Sequence, residues 1–156
     1  KAVKNLDGTS FKQILEGKKT EHRAVAFGIH NNIPEGPAYP IRSISDHQYK
    51  LILNLMPDSA YYIKYMMNTQ RDDLAWTTWV AKATNSPADK KLVERIQHRP
   101  AVELYDIVKD PYELDNLAAK PAYKKVVQKY EAQLTQWMKE QGDTGAPMDK
   151  PMKRNK

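Results

Sequence analysis

One amphipathic stretch near the end of the chain limits what the chain can fold into. Between Pro121 and Gln141, apolar residues recur at intervals of four, three, four and three positions, at Tyr123, Val127, Tyr130, Leu134 and Trp137. This spacing places them on a single face of an α-helix. Pro121 suits the first helical turn, and Gly142 can end the helix. A helix with one apolar face must bury that face against another element.

A strand pattern predicts the partner of this helix. Apolar side chains alternate along residues 49–55, so that one face carries Tyr49, Leu51, Leu53 and Leu55. Residues 39–45 predict a preceding strand, and the three residues between the two strands suit an antiparallel hairpin. Residues 23–29 are mostly small or apolar and predict an interior strand. Strands followed by a long helix indicate an α+β fold, in which a small antiparallel sheet is packed by the C-terminal helix.

The stretch ELYDIVKDPYELDNLA (103–118) combines a short extended run with turn chemistry. Asp110 precedes a proline, which disfavours helical backbone at Asp110 itself. The same residue can cap a following helical turn, with Glu113 as its partner in a capping box. On such a turn Leu114 and Leu117 would form an apolar pair.

Residues 56–100 predict a helical excursion between strands. Tyrosine and methionine side chains are concentrated at 61–67, and helices are predicted at 74–80 and at 88–96. We expect the aromatic side chains to pack on the body of the protein. A platform on which sugar rings stack is the alternative, because Trp and Tyr present flat apolar faces.

The composition excludes some kinds of structure and site but identifies none. The 156 residues are enough for one modest core, and no apolar run approaches the ~20 residues of a membrane-spanning helix. The absence of cysteine excludes disulfides and cysteine-based metal sites within the chain. Residues 1–20 predict a linker and a short helix, and residues 143–156 an extended or disordered basic tail. Basic clusters near the ends can be solvated termini or a polyanion-binding surface.

No self-contained active site follows from the residues. The chain has no phosphate-binding glycine loop, zinc-protease motif, EF-hand or nucleophile elbow. Its four histidines lack the spacing of metal ligands. The segment HNNIPEGP (30–37) gathers varied polar groups on a proline-rich frame, and loops of this kind often carry function.

Short motifs along the chain resemble the C-terminal part of the sulfatase family. They are DGTSF (7–11), YPIRSI (39–44), YKLILNL (49–55), the LYD, DP-x-E and NLA elements within 103–118, and WMKEQGD (137–143). The resemblance extends over roughly residues 7–142. Its LYD to NLA pattern is specific by itself, and further motifs that resemble the family lie on either side of it.

This resemblance implies a C-terminal subdomain at 21–142, with a four-stranded antiparallel sheet and a long helix, packed on a larger α/β catalytic domain. It implies a parent enzyme that hydrolyses sulfate esters or sulfamates with a formylglycine nucleophile, made from Cys or Ser in C/S-x-P-S-R, and a calcium ion. Residues 85–89 are the nearest fragment to that motif and do not match it. We therefore expect both groups upstream of this chain, which alone should be inactive.

Within the family, the chain most resembles the sulfamidase branch, the N-sulfoglucosamine sulfohydrolases that act on heparan sulfate. In that branch the loop before Y-P-x-R-S approaches the sugar pocket and tends to carry two His and a Glu. The resemblance implies substrate contacts for His30, Asn31, Asn32, Glu35 and Arg42. The alternatives are a loop held by its own Asn turns with a surface Glu, and a structural salt bridge between the arginine and a buried carboxylate of the catalytic domain.

The expected partners are a sulfated saccharide, chiefly N-sulfoglucosamine, and the protein's own N-terminal catalytic domain, with no nucleic acid and no membrane span. Two alternatives remain open. One is a sulfatase for O-sulfated sugars such as N-acetylglucosamine 6-sulfate. The other is a free-standing basic module that binds glycans without catalysis. An exported parent protein is expected, in the periplasm, outside the cell or in a lysosome-like compartment.

Overall fold

The structure, a computed structural model, describes residues 8–150. In chain order its helices and strands are α1 (Lys12–Leu15), β1 (Ala26–His30), β2 (Ile41–Ser45), β3 (Tyr49–Asn54), α2 (Ala75–Ala83), α3 (Pro87–Gln97), β4 (Val102–Asp106) and α4 (Lys124–Glu140). Single 3₁₀ turns lie at Pro121–Tyr123 and Ala146–Met148. The first part of the predicted linker, residues 1–7, and the end of the predicted tail, residues 151–156, lie outside the described residues.

The four strands form one antiparallel sheet in the order β1-β2-β3-β4. Strands β2 and β3 make the predicted hairpin, in which Ile44 lies opposite Leu51. Asp46 shapes the connecting turn, because its Oδ1 atom accepts the N–H groups of Gln48 at 2.8 Å and Tyr49 at 2.7 Å. The sheet and the long C-terminal helix confirm the predicted α+β fold.

The main core lies between α4 and one face of the sheet. Its buried apolar residues are Ile44, Leu51, Leu104, Leu117, Tyr130 and Leu134. At one side of this core Phe27 of β1 stacks on Trp137 of α4, with ring centroids 4.6 Å apart. Burial and a hydrogen bond donated to Asp46 raise the pKa of the Tyr130 hydroxyl. The apolar stripe predicted for the helix is therefore the face that contacts the sheet.

The segment between β3 and β4 carries α2 and α3, which share a second apolar cluster. Met67, Trp76 and Val93 are its buried members. Helix α3 begins after Ser86, whose hydroxyl accepts the N–H of Asp89 at 3.2 Å. It reaches the sheet face opposite α4, where the Arg95 guanidinium lies 5.9 Å from the ring centroid of Tyr105. Both faces of the sheet are thus covered on the β3–β4 side.

The strand predicted at 23–29 begins later and is not interior. Strand β1 starts at Ala26 and forms an edge of the sheet, where Ile29 is 55% exposed. A Cβ atom added to Gly28 would lie only 2.6 Å from the Ser43 hydroxyl of β2. The small residues of this strand therefore reflect a close approach between neighbouring strands, not burial on both faces.

The capped helical turn predicted after Asp110 is also absent. The Asp110 carboxylate accepts the N–H of the residue five positions on, at 2.8 Å, in place of a helical cap. Glu113 has a φ of 55°, which is left-handed backbone. Leu114 is 61% exposed, whereas Leu117 is buried. The predicted apolar pair does not form because the chain returns along β4, where Leu117 donates its N–H to the carbonyl of Leu104 at 2.8 Å.

Part of the predicted tail is folded. Residues 143–150 turn back after α4 through the 3₁₀ turn at Ala146–Met148. The Asp143 side chain is 3% exposed, and Asp149 is 5% exposed. Composition indicated disorder because it counts prolines, glycines and charges. It does not register that these two aspartates have partners elsewhere in the chain.

Candidate functional site

The polar segment identified in the sequence, 30–37, begins at the last residue of β1 and leads towards β2. Residues 31–40, which connect the two strands, are called the β1–β2 loop below. Its backbone is closed on itself where the N–H of Gly36 donates to the carbonyl of Asn32 at 2.9 Å. The loop is also tied to the segment after β3, because the N–H of Lys64 donates to the carbonyl of Glu35 at 2.8 Å. This frame holds the loop at the end of β1 and β2.

Asp149 binds the loop backbone from the folded end of the chain. Its Oδ2 atom accepts the N–H groups of Asn32 and Tyr39, each at 2.8 Å, and its Oδ1 atom accepts that of Ile33 at 3.0 Å. One buried carboxylate thus satisfies backbone donors on both sides of the loop tip. Hydrogen bonds from N–H groups to an ionised acceptor are stronger than those between neutral groups.

Asn32 holds the loop from inside. Its side chain is fully buried and donates from Nδ2 to the carbonyls of Pro37 at 2.7 Å and Tyr62 at 2.8 Å. The loop comes so close to the neighbouring segment that a Cβ atom on Gly36 would lie 1.9 Å from the Tyr62 oxygen. Glycine is required at this point by contact with the backbone, and asparagine by its two amide hydrogens.

Arg42 is part of the same framework. Its side chain is 0% exposed and forms a two-pronged ion pair with Asp143, in which Nη2 lies 3.1 Å from Oδ1 and Nε binds Oδ2. Its Nη1 donates to the Asn31 side-chain oxygen at 2.9 Å and to backbone carbonyls, including that of Ile41 at 2.9 Å. The arginine hydrogen bonds hold the pKa of Asp143 below its usual range, although burial opposes this effect.

Two of the residues predicted to contact substrate therefore lie away from solvent. Asn32 and Arg42 are fully buried, and their donors bind groups within the chain. The physical reason is that the loop must satisfy its own backbone and side-chain donors where it packs on the body of the protein. Asn32 holds its own loop, in agreement with the first alternative from the sequence. Arg42 forms a salt bridge with Asp143 of this chain, whereas the second alternative placed its partner in the catalytic domain.

The other predicted residues keep some access to solvent. Glu35 is exposed, and Asn31 and His30 are partly buried. The His30 ring meets the Tyr61 ring edge to face, with centroids 6.0 Å apart. Its Nε2 atom is buried and has no hydrogen-bond partner among residues 8–150. A buried nitrogen without a partner requires an explanation, and a water or ligand atom is the usual one.

A second buried polar cluster lies on the sheet face opposite α4. Glu103 accepts hydrogen bonds from Asn54 at 2.6 Å, from Arg99 at 2.9 Å and from the Tyr105 hydroxyl. Burial raises the pKa of this carboxyl, but the Arg99 and Tyr105 hydrogen bonds outweigh it and leave the pKa below the usual value. Burial and the same carboxylate raise the pKa of Tyr105. The cluster joins β3 and β4 to the residues that follow α3.

Sequence reasoning missed the two aspartates that organise the loop. Asp143 and Asp149 were assigned to the tail, although they are acidic residues within a stretch rich in lysine. Asp143 belongs to the WMKEQGD motif, so that a specific partner could have been suspected. No local pattern pairs Asp149 with a loop that lies more than 100 residues earlier in the chain.

Within residues 8–150, no group of three or more His, Cys, Asp or Glu side chains is arranged to hold a metal ion. The helices of the same described part of the chain include none that is long and apolar enough to cross a membrane.

Two proteins of known activity are similar to the chain over most of its length. An ulvan-active sulfatase of Formosa agariphila is 31% identical over 149 residues, covering 92% of this chain and 26% of that protein. Homo sapiens N-sulphoglucosamine sulphohydrolase is 30% identical over 142 residues, covering 89% of this chain and 27% of that protein. The chain thus spans about a quarter of the length of these relatives. No protein-family model matches it.

Solved structures share the fold. The 2-O GAG sulfatase BT1596 superposes with a TM-score of 0.58 at 19% identity, over 92% of this chain and 22% of its own. BT4656, in complex with its substrate D-glucosamine-2-N,6-O-disulfate, gives a TM-score of 0.57 at 17% identity, over 96% of this chain and 23% of its own. At these identities the likeness concerns the fold alone.

Proposed function

The chain belongs to the sulfatase family, in which it forms a C-terminal subdomain, and from this we propose that the complete protein is a sulfatase acting on glycosaminoglycan-type sugars. Hydrolysis of a sulfate ester or a sulfamate is the reaction. The observation that carries the proposal is the 30% identity to N-sulphoglucosamine sulphohydrolase over 89% of the chain. This relationship includes the loop and the strands that hold it, because so little of the chain lies outside the match.

We propose N-sulfoglucosamine as the substrate, with support from one relative and one structure of the same fold. The name of the human relative specifies that sugar, and a chain with the same fold binds a glucosamine carrying both an N-sulfate and a 6-O-sulfate. A heparan-type polymer presents such groups, so that we place the protein in glycosaminoglycan degradation. Because polymers of this kind occur outside the cytoplasm or in lysosomes, we also propose that the complete protein is exported.

Within the enzyme, this chain supplies part of the sugar-binding surface through the β1–β2 loop. The exposed Glu35 carboxylate can accept hydrogen bonds from sugar hydroxyls. The Nε2 atom of His30 is buried and has no partner among residues 8–150, so that it can bind a polar group of the ligand once the side chains that cover it move aside. Asn31 lies between them in the sequence and contributes less, because its side-chain oxygen already binds Arg42. One such hydrogen bond contributes about 1 kcal/mol to binding, and a charged one more.

The chain does not fit the family's formylglycine and calcium ion. It has no cysteine, and no C/S-x-P-S-R motif occurs in it. Its described residues contain no cluster of metal-binding side chains. We therefore place the nucleophile and the metal in another part of the complete protein, a catalytic domain against which this subdomain packs. This chain by itself should show no sulfatase activity.

The proposal is tested in the complete enzyme with His30→Ala and Glu35→Ala. Each variant should lower kcat/KM on N-sulfoglucosamine about five- to tenfold, because one sugar contact is lost. The melting temperature should change little for Glu35→Ala, whose side chain is exposed, and more for His30→Ala, which loses the ring contact with Tyr61. Glu140→Ala, at an exposed glutamate on α4, is the matched control and should leave kcat/KM unchanged. Unchanged kcat/KM in both variants would exclude His30 and the β1–β2 loop from the sugar site.

An O-sulfated substrate is the second candidate, because one structure with the same fold is named a 2-O GAG sulfatase and the substrate of another also carries a 6-O-sulfate. Rates on N-sulfoglucosamine and on N-acetylglucosamine 6-sulfate separate the two candidates. A preference for the O-sulfated sugar would keep the enzyme class and replace the sulfamidase assignment.

A further inference from the structure

We infer that Asp149 is a positioning residue for substrate binding, because its carboxylate sets the shape of the β1–β2 loop and so the direction of Glu35. This inference rests on the proposed role of the loop in holding the sugar. Asp149 itself is 5% exposed and faces the backbone of the loop, so that it does not compete for a ligand. Its action on the substrate would pass through the loop.

The contacts of Asp149 bracket the loop tip. Asn32 and Ile33 precede Glu35 in the chain, and Tyr39 follows it. Three backbone N–H groups from both sides of the tip therefore converge on one carboxylate, which fixes where the tip begins and where it ends. A carboxylate suits this arrangement, because it has two acceptor oxygens and a negative charge.

The carboxylate is in turn held in place by its own segment. Asp143 starts the segment and is bound to Arg42 of β2, and it also accepts the N–H of Gly145 at 2.8 Å. Gly145 has a φ of 77°, a left-handed conformation that reverses the chain towards the loop. Met148 then donates its N–H to the Gly145 carbonyl at 3.0 Å. The sheet thus positions Asp149 through a short and internally bonded turn.

Asn32 provides a second anchor for the loop, so that the effect of Asp149 is confined to the loop tip. The Asn32 side chain ties the loop to Pro37 and Tyr62 without involving Asp149. When the carboxylate is weakened, this second anchor should keep the loop attached to the body of the protein. The tip would then change its orientation, so that the affinity for the sugar would fall while the stability of the fold changed less.

The test is a double-mutant cycle in the complete enzyme, with kcat/KM for N-sulfoglucosamine as the measured quantity. Asp149→Asn keeps the shape of the side chain but loses the charge and one acceptor. We expect Asp149→Asn and Glu35→Ala each to lower kcat/KM about tenfold. In the double variant the reduction of kcat/KM should remain about tenfold, because a misdirected Glu35 no longer contacts the sugar and its removal has no further effect. Asp115→Asn, at an exposed aspartate, is the control and should change nothing.

Each outcome separates this inference from the proposed function. If Glu35→Ala lowers kcat/KM and the effect of Asp149→Asn multiplies with it to about a hundredfold, Asp149 acts independently of Glu35 and the inference fails. The inference also fails if Asp149→Asn is silent while Glu35→Ala is not. If Glu35→Ala itself is silent, the sugar-binding role of the loop fails first. Should Asp149→Asn not fold, Asp149→Glu takes its place in the same cycle with the same expected values. Its charge can still hold the loop to the body of the protein, but the extra methylene displaces the carboxylate and so redirects the tip.

Discussion

The ion pair between Arg42 and Asp143 provides the sharpest test of how this subdomain is held together. The arginine side chain is 0% exposed and the aspartate side chain 3% exposed, so that neither charge is in contact with bulk water. Asp143→Ala removes the carboxylate and leaves the guanidinium buried with only neutral oxygens around it. Those oxygens belong to Asn31 and to backbone carbonyls of residues 30 and 41.

The expected cost follows from this burial. Removing one partner of a buried ion pair costs about 3–5 kcal/mol, because an uncompensated charge stays in the interior. For a domain of this size the melting temperature should fall by about 6–20 °C, at about 2–4 °C for each kcal/mol. Replacing both members, Arg42→Met with Asp143→Leu, should recover at least about 1 kcal/mol relative to Asp143→Ala, since no buried charge then remains.

The free energy of unfolding is measured by urea titration followed by far-ultraviolet circular dichroism. Asp115→Ala is the matched control, because its ion pair with Lys120 lies at the surface, where the two side chains are 62% and 47% exposed. The loss of that pair should cost less than about 1 kcal/mol. The reasoning would be refuted if Asp143→Ala cost no more than Asp115→Ala, or if the double replacement were less stable than Asp143→Ala.

The remaining predictions concern the β1–β2 loop and the loss of stability at acid pH. Gly36→Ala should destabilise the subdomain by about 1–3 kcal/mol in urea titrations, because the new Cβ atom would meet the Tyr62 oxygen at 1.9 Å. The Arg42 hydrogen bonds hold the pKa of Asp143 below its usual range, so that this carboxylate stabilises the fold above about pH 4, the pKa of an unfolded aspartate. That stabilisation should be lost as the pH falls through the lower pKa of the folded state, and Asp143→Asn should flatten the decline of stability below about pH 4.

Two comparisons decide these predictions. Gly8→Ala is the control for the glycine, since an added Cβ atom meets nothing within 4 Å there, and its effect should stay within about 0.5 kcal/mol. Equal effects at the two glycines would show that the loop yields easily to the new methyl group. If the free energy of unfolding fell equally with pH below about pH 4 in the original chain and in Asp143→Asn, the ion pair would not account for the pH dependence.

Local periodicity was enough to predict the architecture, because each pattern concerns residues close together in the chain. The stripe that includes Tyr130 and Leu134 predicted the long helix and its buried face, and both side chains are in the core. The alternation around Leu51 predicted the hairpin partner of β2. Family resemblance added the four-stranded sheet and the sulfatase class, which the relatives confirm.

Predictions failed where local signals compete with distant contacts. Asp110 and Glu113 have the residue types of a capping box, but the following residues pair with β4 and prevent a helix. The apolar composition of β1 suggested an interior strand, whereas its position at the sheet edge depends on which strands pair. No pattern within a few residues can show which of two extended segments lies at an edge.

The sequence by itself determined the long helix, the β2–β3 hairpin, the buried face of each and the polar character of the β1–β2 loop, because these depend on short spacings and on side-chain type. Tertiary structure alone decided which loop residues remain accessible. Asn32 and Arg42 are internal because partners more than 20 residues away in the chain, Tyr62 and Asp143, accept their hydrogen bonds. Asp149 gained its role in the same way. Burial and hydrogen-bond partners belong to the folded chain, since they are set by segments that meet only after the sheet and α4 have packed.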